Sequence, residues 1–186
     1  MSKQRDLFGK AVRPRRPRYE ASLERADRAS LSVRAARVRW LSSVIPRRIG
    51  FALPLETAYV FEEAKSAYVS GYFVAAVILA AAFVEHWFSA KLAARGFEKA
   101  AAKGLAASIA AARANDIVNA SLLTRVDRLR QIRNPFVHLK EFEHEYGLTQ
   151  RMIKGRLTNP NQLLEQDAQE ALVTMYETAT CAFARG

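Results

Sequence analysis

The chain carries one cysteine, Cys181, and therefore no internal disulfide framework. That excludes the small stapled folds of oxidising compartments and makes the cytoplasm the expected location. Proline is also scarce, with 6 residues, and none falls between positions 55 and 134. Glycine supplies 8 residues, and Gly96 and Gly104 stand alone in alanine-rich sequence, so there is no glycine-rich phosphate loop. No nucleotide cofactor is expected. The 3 histidines, His86, His138 and His144, lack the Cys/His or carboxylate spacing of a zinc site, so no metal is expected either. Cys181 has no obvious activating base nearby in sequence. The first fifty residues lack the continuous apolar core of a secretory signal.

What is abundant is alanine, with 33 residues, together with Leu, Glu, Arg and Lys, the better helix formers. Period-two alternation of β-branched residues is absent. The fold expected is all-α: an up-and-down helical bundle of about five helices with a basic N-terminal extension. Helices are expected over 55–70, with Gly71 as its end or a close packing contact, over 72–95 with Gly96 as its stop, over 97–114, from Asn119 or Ser121 onward, and over 164–184. The stretch 141–163 reads as loop. Residues 1–50 form a basic arm and an amphipathic helix, and residues 51–186 the bundle. The run 67–84 has no charge across 18 residues and so meets the length criterion for a transmembrane helix. Its Ser70-Gly71 interruption, two tyrosines and many alanines, and the lack of a second span, favour a central core helix instead. No membrane span is expected.

Charge is unevenly placed. The formal net charge is +11, yet residues 1–50 hold 14 Lys/Arg against 4 Asp/Glu, while the remaining residues hold 15 against 14. A basic segment of this kind fits a polyanionic partner, nucleic acid or an anionic membrane surface, or else a solvated tail. Arg13-Pro14-Arg15-Arg16-Pro17-Arg18 opposes a helix and favours an extended arm. From Tyr19 to Val44 helical composition returns, and that stretch can cap the main domain or lie on a membrane or a partner.

The segment richest in chemistry runs from Arg130 to Lys140. On an uninterrupted helix Arg133 and His138 are five positions apart, about 500° or effectively about 140° of rotation, and face different sides. Asn is a favoured N-cap and Pro a favoured first helical residue, so Asn134-Pro135 reads as the end of one helix and the start of another, with Arg133 and His138 pointing into one junction. Histidine moves a proton near neutral pH, and arginine matches a phosphate with two parallel donors. Arg125, Arg128, Arg130 and Lys140 add to a local balance of five basic residues against one acid, Asp127. The plain alternative is a helix junction with a capping Asn, a solvated Arg and a surface His. Glu85 follows the long apolar run on a face shared with Ile78, Ala81, Ala82 and Phe88. There its carboxylate needs a partner, Arg133 or Arg130, unless it emerges into solvent.

The Arg133-Asn134-Pro135-Phe136-Val137-His138 segment resembles the signature of the HEPN superfamily, the higher eukaryote and prokaryote nucleotide-binding domains: an Arg, a polar residue, a short spacer and a His. The run Ser70-Gly71-Tyr72-Phe73-Val74-Ala75-Ala76, leading to Val84-Glu85, is similar to that family's long helix. The resemblance covers residues 55–184. It implies a helical bundle that dimerises, with two Arg-x4-His segments meeting in a cleft. It also implies, for active members, metal-independent endoribonuclease chemistry, often in toxin–antitoxin or defence systems with a cognate antitoxin or partner protein. On that pattern His138 handles the proton of a 2′-hydroxyl transesterification, Arg133 stabilises the phosphorane and Asn134 orients or caps. Arg130, Lys140 and Arg128 bind RNA, and Glu85 is a supporting carboxylate. The family also has members that only bind or scaffold, so the alternative is a non-catalytic helical module for nucleic acid or protein.

Overall fold

Eight helices and no strand occur among the described residues of the computed structural model, which are 18–45 and 54–181. They are α1 (Arg18–Val44), α2 (Leu55–Ser70), α3 (Phe73–Ala93), α4 (Glu98–Ala101), α5 (Leu105–Ala114), α6 (Ala120–Val137), α7 (Leu148–Gly155) and α8 (Pro160–Thr180). The protein is an all-α helical bundle. The arginine- and proline-rich arm over 1–17 lies outside the described residues, as do positions 182–184 of the expected last helix. The chain divides into two compact units, Met1–Ala36 and Arg37–Gly186.

In the second unit α3 is the central element. It packs against α2, α4, α5, α6 and α8, which explains a sequence apolar on every side. Ala76, Val77, Ala80, Ala81, Phe83, Val84, Phe88 and Leu92 are fully enclosed. α3 is the one helix among the described residues that is long and apolar enough to cross a bilayer, and half of its apolar window is buried within the protein. That burial is what a core helix requires. The alanines let neighbouring backbones approach, and the rings of Phe61, Phe83 and Tyr176 fill the wider gaps, with Phe61 5.2 Å from Phe83 and 5.0 Å edge-on to Tyr176.

α2 ends at Gly71, whose φ of 86° is the left-handed conformation that side chains resist. The same glycine is a close contact, since a Cβ there would lie 3.0 Å from Arg37 Nη1. Arg37 in turn donates to Glu165 at 2.8 Å and lies over the Phe73 ring. Both readings of Gly71 therefore hold.

Beside an α8 that begins at Pro160 rather than 164, three features differ from expectation. The single helix expected over 97–114 is two, α4 and α5, because the chain turns at Gly104 with φ 85° and ψ −179°. The stretch expected to be loop contains α7, whose Arg151 donates from Nη1 to Asp167 Oδ2 at 2.7 Å and from Nη2 to the other carboxylate oxygen. Asp167 is 3% exposed, so this two-pronged pair ties α7 to α8 from inside. The third difference concerns Asn134-Pro135. No helix begins there: α6 continues to Val137 with Pro135 inside it. Proline removes one N–H, and in the last turn that forfeits a single hydrogen bond to Gln131. Continuing as helix keeps Phe136 above Ile132 on the core-facing side, alongside Leu122, Val126 and Leu129.

Tyr176 is 3% exposed and its hydroxyl has no hydrogen-bond partner among the described residues. Burial, aided by Glu62, pushes its phenol pKa well above the usual value near 10. Replacing it with phenylalanine removes an unpaired polar atom at constant shape, and a gain of about 1 kcal/mol in urea unfolding is expected. The raised phenol stays neutral in the folded state while the unfolded chain ionises. Stability is therefore complete below pH 10 and falls as pH rises above it, a loss that Tyr176→Phe reduces. Tyr68, also raised by burial although it accepts from Gln169 Nε2 at 2.8 Å, retains its share of that loss.

Candidate functional site

Asn119 opens α6, its side chain accepting from the Leu122 N–H at 3.0 Å. From there the helix turns its apolar row to the core and carries Arg125, Arg128, Arg130 and Arg133 on its flanks. Arg133 reaches α3, where Nη2 donates to Glu85 Oε2 at 3.0 Å. Both side chains are mostly covered, 18% and 29% exposed, so Arg133 is the partner that Glu85 requires on this face. Arg133 Nη1 also donates to Asn134 Oδ1 at 3.3 Å. Asn134 thus sits inside α6 and steadies the guanidinium; it caps no helix, which corrects the capping role expected of it.

The other carboxylate oxygen of Glu85 lies against Gly104, where a Cβ would stand 3.3 Å away. Gly104 is a neighbour of this pair to which the sequence motifs assign no part in the site. With φ 85° and ψ −179° its backbone occupies a region reserved for glycine. The signal was present as an isolated glycine in an alanine run, but nothing local tied it to Glu85. Gly104→Ala is expected to cost roughly 1–3 kcal/mol in chemical denaturation, because the backbone must leave that region and the new methyl presses on the carboxylate. An alanine variant as stable as the parent would show that the α4–α5 turn accommodates it.

His138 is the residue at which α6 stops. Its backbone is extended, with φ −133° and ψ 128°, and its N–H still bonds to the Asn134 carbonyl at 2.9 Å. The ring is exposed and makes no hydrogen bond among the described residues. The other two histidines are engaged: His86 Nδ1 is 3.5 Å from Thr57 Oγ1, and His144 Nδ1 accepts from the Tyr146 N–H at 3.3 Å. Around His138 the chain exposes Val137, Leu139 and Phe142, the last two at 102% and 72%. Arg133 is therefore held against α3 while His138 stands clear at the helix end.

The remaining basic residues are less free than their count suggests. Arg128 Nε donates to Glu170 at 3.0 Å, and Arg125 pairs with Glu177 at 2.5 Å, both carboxylates belonging to α8. Arg130 pairs with Asp127 one turn earlier at 2.8 Å. Lys140 is exposed beyond the helix. Four of the five cations between 125 and 140 are thus matched by carboxylates, three of them from other helices. Arg125 and Arg128 also face the α8 side, where with Leu129, Ile132 and Ala171 they line a groove of about 400 Å³ that includes neither Arg133 nor His138.

Among the described residues no three His, Cys, Asp or Glu side chains gather in one place. Cys181 follows α8, and burial raises its thiol pKa, which lowers its nucleophilicity at neutral pH. Comparison with family models, with curated proteins and with solved structures finds no match to this chain.

Proposed function

We propose that the protein is a metal-independent endoribonuclease of HEPN type, acting on RNA in the cytoplasm as a homodimer, with a toxin or defence role. The observation that carries this reading is at the end of α6: an exposed His138 follows, five residues on, a mostly covered Arg133 that is held against α3. Transesterification by a 2′-hydroxyl needs a proton carrier with access to substrate and a cation that can reach the phosphorane. A single His138 supplies one proton carrier, and a twofold dimer supplies the second. The exposed Val137, Leu139 and Phe142 are the apolar material through which two such segments associate.

In this mechanism one His138 takes the 2′-hydroxyl proton as that oxygen attacks the adjacent phosphorus. Its counterpart gives a proton to the departing 5′-oxygen, leaving a 2′,3′-cyclic phosphate. Arg133 neutralises charge on the non-bridging oxygens, drawn forward from Glu85, and Asn134 limits its swing. Lys140, exposed, without an ion pair among the described residues and close to His138 in the chain, is the better substrate contact; Arg128 and Arg130 contribute after exchanging a carboxylate for a phosphate. Incubation with structured RNA in EDTA is expected to yield fragments ending in 2′,3′-cyclic phosphate, read by end-group analysis. Intact RNA under those conditions eliminates the reading.

A second reading, a non-catalytic nucleic-acid or protein-binding module, is favoured by the carboxylate pairing of Arg125, Arg128, Arg130 and Arg133. Binding that persists in His138→Ala, without cleavage by the parent protein, is its signature.

A further inference from the structure

The α6 arginines are matched by acids, whereas of the four α1 arginines within the first unit only Arg28 and Arg34 pair with one among the described residues. Arg18, Ala21, Arg25, Arg28, Ser32 and Ala36 follow one another at spacings of three and four, so they form one ridge spanning an arc of roughly 80°. All are exposed except Ala21, which is half-buried. Arg18 and Arg25 make no ion pair among the described residues, and the Arg28 side chain, 82% exposed, reaches Glu24 only at 3.9 Å. No acidic and no large apolar residue interrupts the ridge.

The acids lie elsewhere on the helix. Glu20, Glu24 and Asp27 share the flank of Leu23 and Leu31, and Asp27 is occupied by Arg34 at 3.2 Å. An anionic bilayer has to take the apolar side of an amphipathic helix, and here that side carries the negative charges. The arginine ridge faces the other way, and its small residues leave room for a bulky backbone between the guanidinium groups.

We infer that the Arg18–Arg25–Arg28 ridge of α1 binds the sugar–phosphate backbone of nucleic acid without reading sequence. From Arg18 to Arg28 the three guanidinium-bearing positions span about 15 Å of helix, enough for two or three successive phosphates. Guanidinium groups pair with phosphates through parallel donors, and each contact releases condensed counterions. This inference does not rest on the ribonuclease reading, because affinity and cleavage are measured separately.

The test uses the full chain and a fluorescent 2′-O-methyl RNA, which lacks the nucleophile for cleavage, with anisotropy recorded across a salt series. The triple variant Arg18→Gln, Arg25→Gln, Arg28→Gln is expected to flatten the slope of log affinity against log salt by about 2, at about 0.7–0.9 per lost phosphate contact. Glutamine matches arginine closely in helix propensity, and far-UV circular dichroism verifies that α1 is retained. The corresponding triple lysine variant keeps the slope. Lys65→Gln, whose parent pairs with Glu62 at 2.7 Å on α2, changes it little. An unchanged slope in the glutamine variant, or a larger change in Lys65→Gln, overturns the inference. So does binding to phosphatidylserine vesicles that the glutamine variant loses, which would assign the ridge to lipid.

Discussion

Arg151→Ala is expected to destabilise the protein by about 3–5 kcal/mol, the cost of leaving one member of a buried ion pair without its counterion. The size follows from where the charges sit. The Asp167 side chain is 2% exposed and the Arg151 side chain 14%, so removal of the arginine strands a carboxylate that water cannot reach. Asp167→Ala is expected to cost less, because Arg151 is carried on a long stem at the surface helix α7 and can turn outward. The double variant Arg151→Leu, Asp167→Leu should recover most of the loss, since buried pairs are often replaceable by apolar residues of similar volume. Urea unfolding of the three variants measures all of this. A double variant as damaged as Arg151→Ala would mean that the pair supplies geometry to α7 that apolar packing cannot replace.

That pair also illustrates what local sequence does and does not disclose. The long helices were readable because their causes are local: apolar periodicity, the Asn119 cap and the stop at Gly71. α7 was not, because its anchor is a carboxylate sixteen positions further along the chain. The dipeptide Asn-Pro makes the same point twice over. At Asn159-Pro160 it caps and starts α8, with Asn159 accepting from the Asn161 N–H at 3.0 Å. At Asn134-Pro135 the same chemistry is overridden by Phe136, whose packing continues the buried row of α6 through the proline. Capping preference decides where the preceding chain is irregular and yields where a core-facing side chain lies just beyond.

Charge counting failed for a related reason. The cluster at 125–140 has a basic balance in sequence, but Glu85, Glu170 and Glu177 return from α3 and α8 to match it. Only pairs within one helix, such as Arg130 with Asp127, are visible in a local window. The Glu85–Arg133 contact was readable because each residue posed a problem, a carboxylate on an apolar face and a cation near it, that the other solves.

The largest effect on activity is expected at His138, and its value as a test comes from the fold. On the proposed ribonuclease mechanism, His138→Ala should lower RNA cleavage by about 10²–10⁴-fold, the usual contribution of a general acid–base group. Its stability should stay within about 0.5 kcal/mol of the parent, because the ring is exposed and makes no hydrogen bond among the described residues. Arg133→Ala should differ in kind. On the proposed mechanism it removes a phosphorane-stabilising donor, lowering cleavage by roughly 10²–10³-fold. It also leaves Glu85 without its cation in a mostly covered position, at a cost of about 1–3 kcal/mol. Glu85→Gln separates the two roles, since a neutral amide oxygen still accepts from Arg133 while no longer competing with phosphate for it. Cleavage by that variant should persist within a few-fold, with KM lowered and kcat less affected. Stopped-assay kinetics on one RNA, beside urea unfolding of each variant, resolves the pattern. A stable His138→Ala protein that cleaves as fast as the parent would remove the end of α6 as the site of chemistry and leave its arginines as structural ion pairs.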